Sequence, residues 1–516
     1  YTRDSRGQVA RLASDQPGPG GEPPPAVDYA YHADGSLATL DYGFGMHVER
    51  LYDPAGRLVD LRYTKPDGAV ISDFAYTHDA AGNILSKTTD FGLIQYGYDA
   101  LDRLVLADYD WKADETFAYD AVGNRTADAG HPVWHYDAAN QLLAYGAGPH
   151  DPAGQTPPTV PAFTFAYDAN GSTVSKTDPA AGTADQYGYS FDNRMREVWR
   201  NGELVARYFY DHLSQRIRKD LFTDGSPTGT TWFVYGAEGL LTEIDSEGLL
   251  NKKYLWCPDY LWGTNPLWRR SSSGEIFYIL TDHLFTPQSE VDSTVTKTWI
   301  SDLNAFGFDS QAQPLQNSLR FPGQYIEEEN DLFFNFQRYY DPSIGLYRQV
   351  DPANSDLTKS LYQYASNNPV MYIDPYGLEV LVCHRPLVSD PFGLEPGEFF
   401  HLFIVINGRD YGFFCKGDCL SGPGEVRGPG YETRIDWSKC FIVKCIDEEK
   451  LIQSILKSKN QSPRYSVYGG PSRTYEPGIN CQKWVWNRLR EAAIRPCCEK
   501  NPIVPYGSEP KMSAQP

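Results

Sequence analysis

The sequence predicts a mainly β chain, in which a long sheet built from repeats is followed by a small, separate α+β domain. Three observations carry that reading. A short phrase containing tyrosine and aspartate recurs about every 20 residues through the first part of the chain, a spacing typical of repeat architectures. Aromatic residues make up 14% of the chain and include 36 tyrosines, a residue type favoured on half-buried strands. Finally, charge and cysteine content both change near residue 379. Of the formal charge of −21, about −23 lies before that point and about +2 after it. Cys257 is the only cysteine before it, and the other eight follow.

At 516 residues the chain is too long for one hydrophobic core and must be read in segments. No stretch approaches the ~20 uninterrupted apolar residues that span a bilayer, and Tyr1-Thr2-Arg3-Asp4 does not open a signal peptide. The expectation is a chain without a membrane span that begins within a longer protein. Nucleic acid is not an expected partner of the acidic first part. The cysteine density of the tail suits an oxidising destination or thiol chemistry.

The repeated phrase is clearest in Tyr52-Asp53-Pro54-Ala55-Gly56-Arg57-Leu58, Tyr98-Asp99-Ala100-Leu101-Asp102-Arg103-Leu104 and Tyr119-Asp120-Ala121-Val122-Gly123-Asn124-Arg125. Weaker copies start at Tyr31, His78, Tyr136, Tyr167, Phe191 and Tyr210. Alternating aromatic and polar residues lead into an aspartate-initiated turn and then resume with Leu or Val, which reads as strand, tight turn, strand. One such hairpin cannot bury its own face, so neighbours must pair laterally into one long sheet. The Asp and Tyr of these copies are turn and strand residues with no catalytic role. Pro- and Gly-rich interruptions at 15–26 and 147–161 read as surface loops, because repeats continue on both sides.

These copies resemble the YD repeats of Rhs proteins, of the C components of Tc toxins and of teneurins, whose sheets curl into a hollow cocoon. The resemblance implies a β-shell over residues 1–319. Further motifs extend it through 320–378. Thr281-Asp282-His283-Leu284-Phe285-Thr286-Pro287 is similar to the DHLGTP segment of Rhs proteins. Arg320-Phe321-Pro322-Gly323-Gln324-Tyr325, Asn335-Phe336-Gln337-Arg338-Tyr339-Tyr340-Asp341-Pro342, Asn367-Asn368-Pro369 and Asp374-Pro375-Tyr376-Gly377-Leu378 follow in the family's order.

In that family this region is an intramolecular aspartyl protease that cuts after the final DPxGL phrase, here between Leu378 and Glu379. Asp351 and Asp374 are the matching pair. Two carboxylates brought together can share one proton, so that one serves as base toward a water and the other as acid toward the carbonyl. Taken without the resemblance, each Asp-Pro simply opens a turn. Leu346 stands where the family usually carries an arginine, and Arg348 is the candidate replacement for that cation.

Residues 379–516 then read as a separate toxin domain. Glu398 to Phe414 forms a hairpin turning at Asn407-Gly408, with His401 near the start of its first strand. Far downstream, Gly478-Ile479-Asn480-Cys481-Gln482-Lys483-Trp484-Val485 opens a helix with Asn480 as N-cap, which puts Cys481 in the first turn, where the helix dipole favours the thiolate. His401 is the candidate proton shuttle, with His384 a weaker competitor, and Asp410 the candidate third member, ahead of Asn407 and Tyr411. Histidine on a strand followed by Asn-Cys on a helix resembles circularly permuted NlpC-type papain-like enzymes, including the lecithin retinol acyltransferase-like branch. The structural alternative for Cys481 is a buried or disulfide-bonded cysteine. Gly422-Pro423-Gly424-Glu425 reads as a loop. Cys415 with Cys419, and Cys440 with Cys445, suit disulfides better than zinc, since no histidine lies near them. Neither a metal nor a cofactor is expected.

The resemblances imply a secreted Rhs-type toxin, delivered into the periplasm or cytosol of a target cell. Its partners would be its own cleaved tail held in the shell, an immunity protein and a secretion machinery. The tail would act as a cysteine hydrolase or acyltransferase on an amide or ester. The contrasting expectation is a teneurin-like adhesion or binding shell with a non-enzymatic tail.

Overall fold

The computed structural model describes residues 1–13, 24–309, 316–352 and 360–378, together with five strands of the tail, Val380–Pro386, Phe400–Ile406, Arg409–Cys415, Gly424–Arg427 and Cys440–Ile442. The chain divides into two units, one of Tyr1–Pro352 with Asp356–Leu378 and one that includes Glu379–Pro516. No helix among the described residues is long and apolar enough to cross a membrane.

Within each sheet of the first unit, every strand is hydrogen-bonded to the next in sequence, all antiparallel. A 12-stranded sheet runs from Thr2–Arg3 to Arg125–Asp128, and a 15-stranded sheet from Val133–Tyr136 to Lys297–Ile300. The repeat phrase builds both. Its aspartate accepts two backbone N–H groups of its own turn: Asp53 Oδ1 takes those of Ala55 (2.8 Å) and Arg57 (3.0 Å), and Asp120 Oδ1 those of Val122 (3.0 Å) and Asn124 (2.8 Å). In several copies the preceding tyrosine donates its hydroxyl to a carbonyl of the previous hairpin. Tyr52 reaches Leu37 O (3.0 Å), Tyr98 reaches Ile84 O (2.8 Å) and Tyr210 reaches Met195 O (2.7 Å). In these copies aspartate sets the turn, and tyrosine ties it to its neighbour. One copy is displaced from the expected position: Phe191 is fully exposed, and Tyr189, which donates to Thr173 O (2.8 Å), is the strand residue.

The motifs after residue 280 tie these sheets together. Asp282 caps its own turn and pairs with the buried Lys87 of the first sheet (2.7 Å), while Tyr63, also of the first sheet, donates to Thr281 O (3.0 Å). A third, 4-stranded sheet of Tyr325–Glu327, Leu332–Asn335, Arg338–Asp341 and Leu346–Tyr347 docks on the 15-stranded sheet through buried ion pairs. Lys219 meets Glu327 (3.0 Å) and Glu329 (3.1 Å), Lys176 meets Asp341 (3.2 Å), and Arg216 meets Glu327. Cys257 is buried, and desolvation pushes its thiol up to about 12.

The tail unit contains a 5-stranded antiparallel sheet in the order Gly424–Arg427, Arg409–Cys415, Phe400–Ile406, Val380–Pro386, Cys440–Ile442. Ile406 stands opposite Arg409, the register of a two-residue hairpin turn. Gly424 and Glu425 belong to a strand and not, as expected, to a loop, because their backbone continues the ladder of Arg409–Cys415.

His283 gives the first unit an acid sensitivity. Its ring contacts Tyr76 (centroids 4.8 Å apart), and its Nε2 lies 2.7 Å from Val370 O, with Lys87, Asp282 and His78 as the charged or titratable groups acting on it. Burial pushes its pKa down to about 4 from 6.5. The unfolded chain thus binds a proton that the folded one refuses, and stability present above pH 6.5 is lost as the pH falls toward 4, by up to about 3 kcal/mol. Denaturant midpoints measured between pH 7 and 4.5 should fall, and His283→Gln, which keeps a donor for Val370 O, should flatten that slope.

Candidate active site at the junction

Arg338 comes from the strand Arg338–Asp341, and its side chain is 1% exposed. Its Nη2 lies 3.0 Å from Asp351 Oδ2 and 3.1 Å from Asp374 Oδ2, which leaves those oxygens no more than about 6 Å apart. Both carboxylates are buried, at 4% and 2% exposure. The structure thus brings together the two aspartates singled out by the sequence, and it adds a cation between them that the sequence did not single out. The Arg338 guanidinium is the shared ion-pair partner of both carboxylates.

The same groups hold the chain that leads to Glu379. Asp374 Oδ1 accepts the backbone N–H of Leu378 (2.8 Å), and Arg338 Nε donates to Gly377 O (2.8 Å). Asp374 Oδ2 also accepts the hydroxyl of Tyr347 (2.8 Å), whose oxygen accepts Asn335 Nδ2 (2.7 Å). Burial first, and then the Asp374 charge, hold the Tyr347 phenol well above its ordinary range, so it remains a donor. The Arg338 guanidinium lies over the Tyr347 ring at 3.5 Å. Asn335 Nδ2 also donates to Asp374 O (2.8 Å).

Two glycines make this path possible. Gly377 has φ +65°, and a Cβ there would lie 2.9 Å from Asn335 O; Gly323 has φ +84°, and its Cβ would fall 2.1 Å from Pro375 O. Any side chain at Gly323 would push the Asp374-Pro375 segment off its seat.

Arg348 is placed elsewhere. Its guanidinium pairs with Asp341 and lies over Phe165 at 4.9 Å, so the cation at the aspartates is Arg338. Leu346 is buried in an apolar cluster with Trp134 and Tyr362. Leu378 is half-buried, whereas Glu379 lies outside the described residues.

In the tail, His401 stands opposite Arg385 on a strand paired on both sides. Asp410 stands opposite Val405, four residues along from His401 in register, or roughly 13 Å at ~3.3 Å per residue. His384 stands opposite Leu402. Asn407, Asn480 and Cys481 lie outside the described residues.

The family model described as Teneurin YD-shell matches residues 26–370, a range that includes Arg338 and Asp351 and ends short of Asp374. Double-stranded DNA deaminase toxin A of Burkholderia cenocepacia is 27% identical over 367 residues, covering 63% of this chain and 24% of that protein. Toxin protein Tse5 of Pseudomonas aeruginosa is 28% identical over 380 residues, covering 64% and 28%. The tRNA nuclease WapA of Bacillus subtilis is 28% identical over 334 residues, covering 62% and 11%. This chain therefore spans about a quarter or less of the length of these curated relatives. Among solved structures, the Photorhabdus luminescens Tc holotoxin pore shares the fold with a TM-score of 0.55 at 18% identity, over 78% of this chain and 21% of that one. The TcdB2-TccC3-TEV crystal structure does so at 0.53 and 18%, over 73% and 21%.

Removing the cation while leaving two buried carboxylates should be costly. Arg338→Gln is expected to lower stability by about 3–5 kcal/mol at pH 7, read as a lower denaturant midpoint. Adding Asp374→Asn to that variant should recover part of the loss, because it removes one of the stranded charges.

Proposed function

This chain belongs to the Teneurin YD-shell family, and from that premise we propose that it is part of a secreted polymorphic toxin that cuts itself between Leu378 and Glu379 to release its C-terminal unit. The observation that carries the reading is that the two buried aspartates sharing Arg338 also grip the backbone of Gly377 and Leu378. The relatives add a second support. Proteins named as a deaminase, a nuclease and a toxin resemble more than half of this chain, as a common container with exchangeable cargo would.

The chemistry assigns different tasks to the two carboxylates. Asp374 accepts Leu378 N–H, Tyr347 O–H and Arg338, so it positions the substrate strand. Asp351 is then the base. It takes a proton from a water whose oxygen attacks the Leu378 carbonyl carbon, Arg338 offsets the charge that builds on the carbonyl oxygen, and Asp351 returns the proton to the Glu379 nitrogen as the C–N bond breaks. A shell around the released piece would then retain it, by bulk alone, until delivery into a target cell. An immunity protein and a secretion machinery would be its further partners.

For the released unit the reading is a cysteine hydrolase or acyltransferase acting on an amide or ester, with Cys481 as nucleophile and His401 as proton shuttle. It is supported by the Asn480-Cys481 phrase and by the position of His401 on a strand held by neighbours on both sides.

Both halves are open to test in variants of the chain. Asp351→Asn and Asp374→Asn should each slow cleavage by about 10²-fold or more, so that one full-length band remains on a denaturing gel. Cys481→Ala should be cut normally but should not harm cells into which the tail is introduced. Cutting in both aspartate variants would rule out the junction as the protease. Undiminished toxicity of Cys481→Ala would rule out the thiol enzyme.

A further inference from the structure

We propose that Cys383 and Cys440 form a disulfide that closes the sheet of the C-terminal unit. The pairing register carries the inference. Val380–Pro386 is bonded on one side to Phe400–Ile406 and on the other to Cys440–Ile442, and in the second ladder Cys383 stands directly opposite Cys440. Directly opposed residues of an antiparallel pair have Cα atoms about 4.5–5.5 Å apart. That range falls within the roughly 4.4–6.8 Å over which a disulfide closes without moving the backbone.

Two further features single out this pair. Cys440–Ile442 is a three-residue strand at the edge of the sheet, held by the register pairs Leu381 with Ile442, Val382 with Phe441 and Cys383 with Cys440. So short an edge strand contributes little holding power of its own, and a covalent tie to a strand paired on both sides would fix it. The other cysteine on a described strand is out of range. Cys415 stands opposite Gly424 on a strand two ladders away from Val380–Pro386, which is roughly 9–10 Å at the usual strand spacing. The spacing-based partner of Cys440, Cys445, would tie together only a local loop. The register partner instead links the first strand after the junction to a segment far along the tail, and long loops are where a cross-link restricts the unfolded chain most.

The reaction is ordinary thiol–disulfide exchange. The thiolate of one cysteine attacks a disulfide donor and expels one donor thiol. The second thiolate then attacks the mixed disulfide and expels the other, so the donor gains the two electrons that the pair loses. Such donors act in oxidising compartments, and a reducing cytosol would keep the pair open. Six tail cysteines, Cys481 among them, remain outside this bond.

The test uses the whole chain, equilibrated in a glutathione buffer poised to oxidise structural disulfides, alkylated under denaturing conditions and digested. The expected result is one mass joining the Cys383 and Cys440 peptides, which splits into two on reduction. In Cys440→Ser, the Cys383 peptide should become fully alkylated. Alkylated Cys383 in the oxidised wild-type chain, Cys383 linked to a different cysteine, or Cys383 still blocked in Cys440→Ser would each overturn the pairing. Neither cysteine takes part at Asp351 or Asp374, so a failure here reads separately from a failure of self-cleavage.

Discussion

One guanidinium nitrogen, Nη2 of Arg338, lies between two carboxylates that are almost fully withdrawn from water. Burying either carboxylate without a partner would cost several kcal/mol, and burying both beside each other would cost more. The cation makes the arrangement tenable, and much of the junction follows from it. Asp351 belongs to the segment after the 4-stranded sheet, Asp374 to the closing turn, and Arg338 to the sheet itself, so a single side chain holds three separate stretches together. Its remaining donors take Gly377 O and Leu361 O, which fixes the path of the last described residues of the first unit.

The junction in turn depends on the repeats. Asn367 Nδ2 donates to Gly123 O (2.8 Å), Asn368 Nδ2 to Asp102 O (2.7 Å) and the Tyr362 hydroxyl to Gly171 O (2.7 Å). All three acceptors are turn residues of the repeat phrase. The turns that the aspartates shape therefore present carbonyls, and the segment between Asp351 and Asp374 is seated on three of them. A local rule repeated along the chain becomes, at its end, the support of the Arg338, Asp351 and Asp374 cluster.

Most of the sheet was legible because its causes are local. An aspartate that binds the N–H groups two and four residues ahead needs no tertiary context, and strand alternation follows from that turn. The misplaced copy at Phe191 shows where local reading fails: Ser190 replaces the usual aspartate, and only the tyrosine hydroxyl at 189, bonded to Thr173 O, identifies the strand residue. The aspartates were legible through order of motifs, but their cation was not. Arg348 is closer in sequence to the position where an arginine was expected, whereas Arg338 reaches the pair through strand pairing that sequence spacing does not encode. Its one sequence signal was its place inside the Asn335 to Pro342 phrase. In the tail, an Asn-Gly pair read from the sequence as a two-residue turn already implies the register in which Ile406 stands opposite Arg409 and Val405 opposite Asp410.

We propose that Arg338, Asp351 and Asp374 form a self-cleaving site and not merely a buried staple. The most direct measurement is N-terminal sequencing of the fragments of the denatured wild-type chain after it has folded on its own. The expected result is a second N-terminus that begins Glu379-Val380-Leu381-Val382. A single intact chain, or a new N-terminus anywhere else, would contradict it.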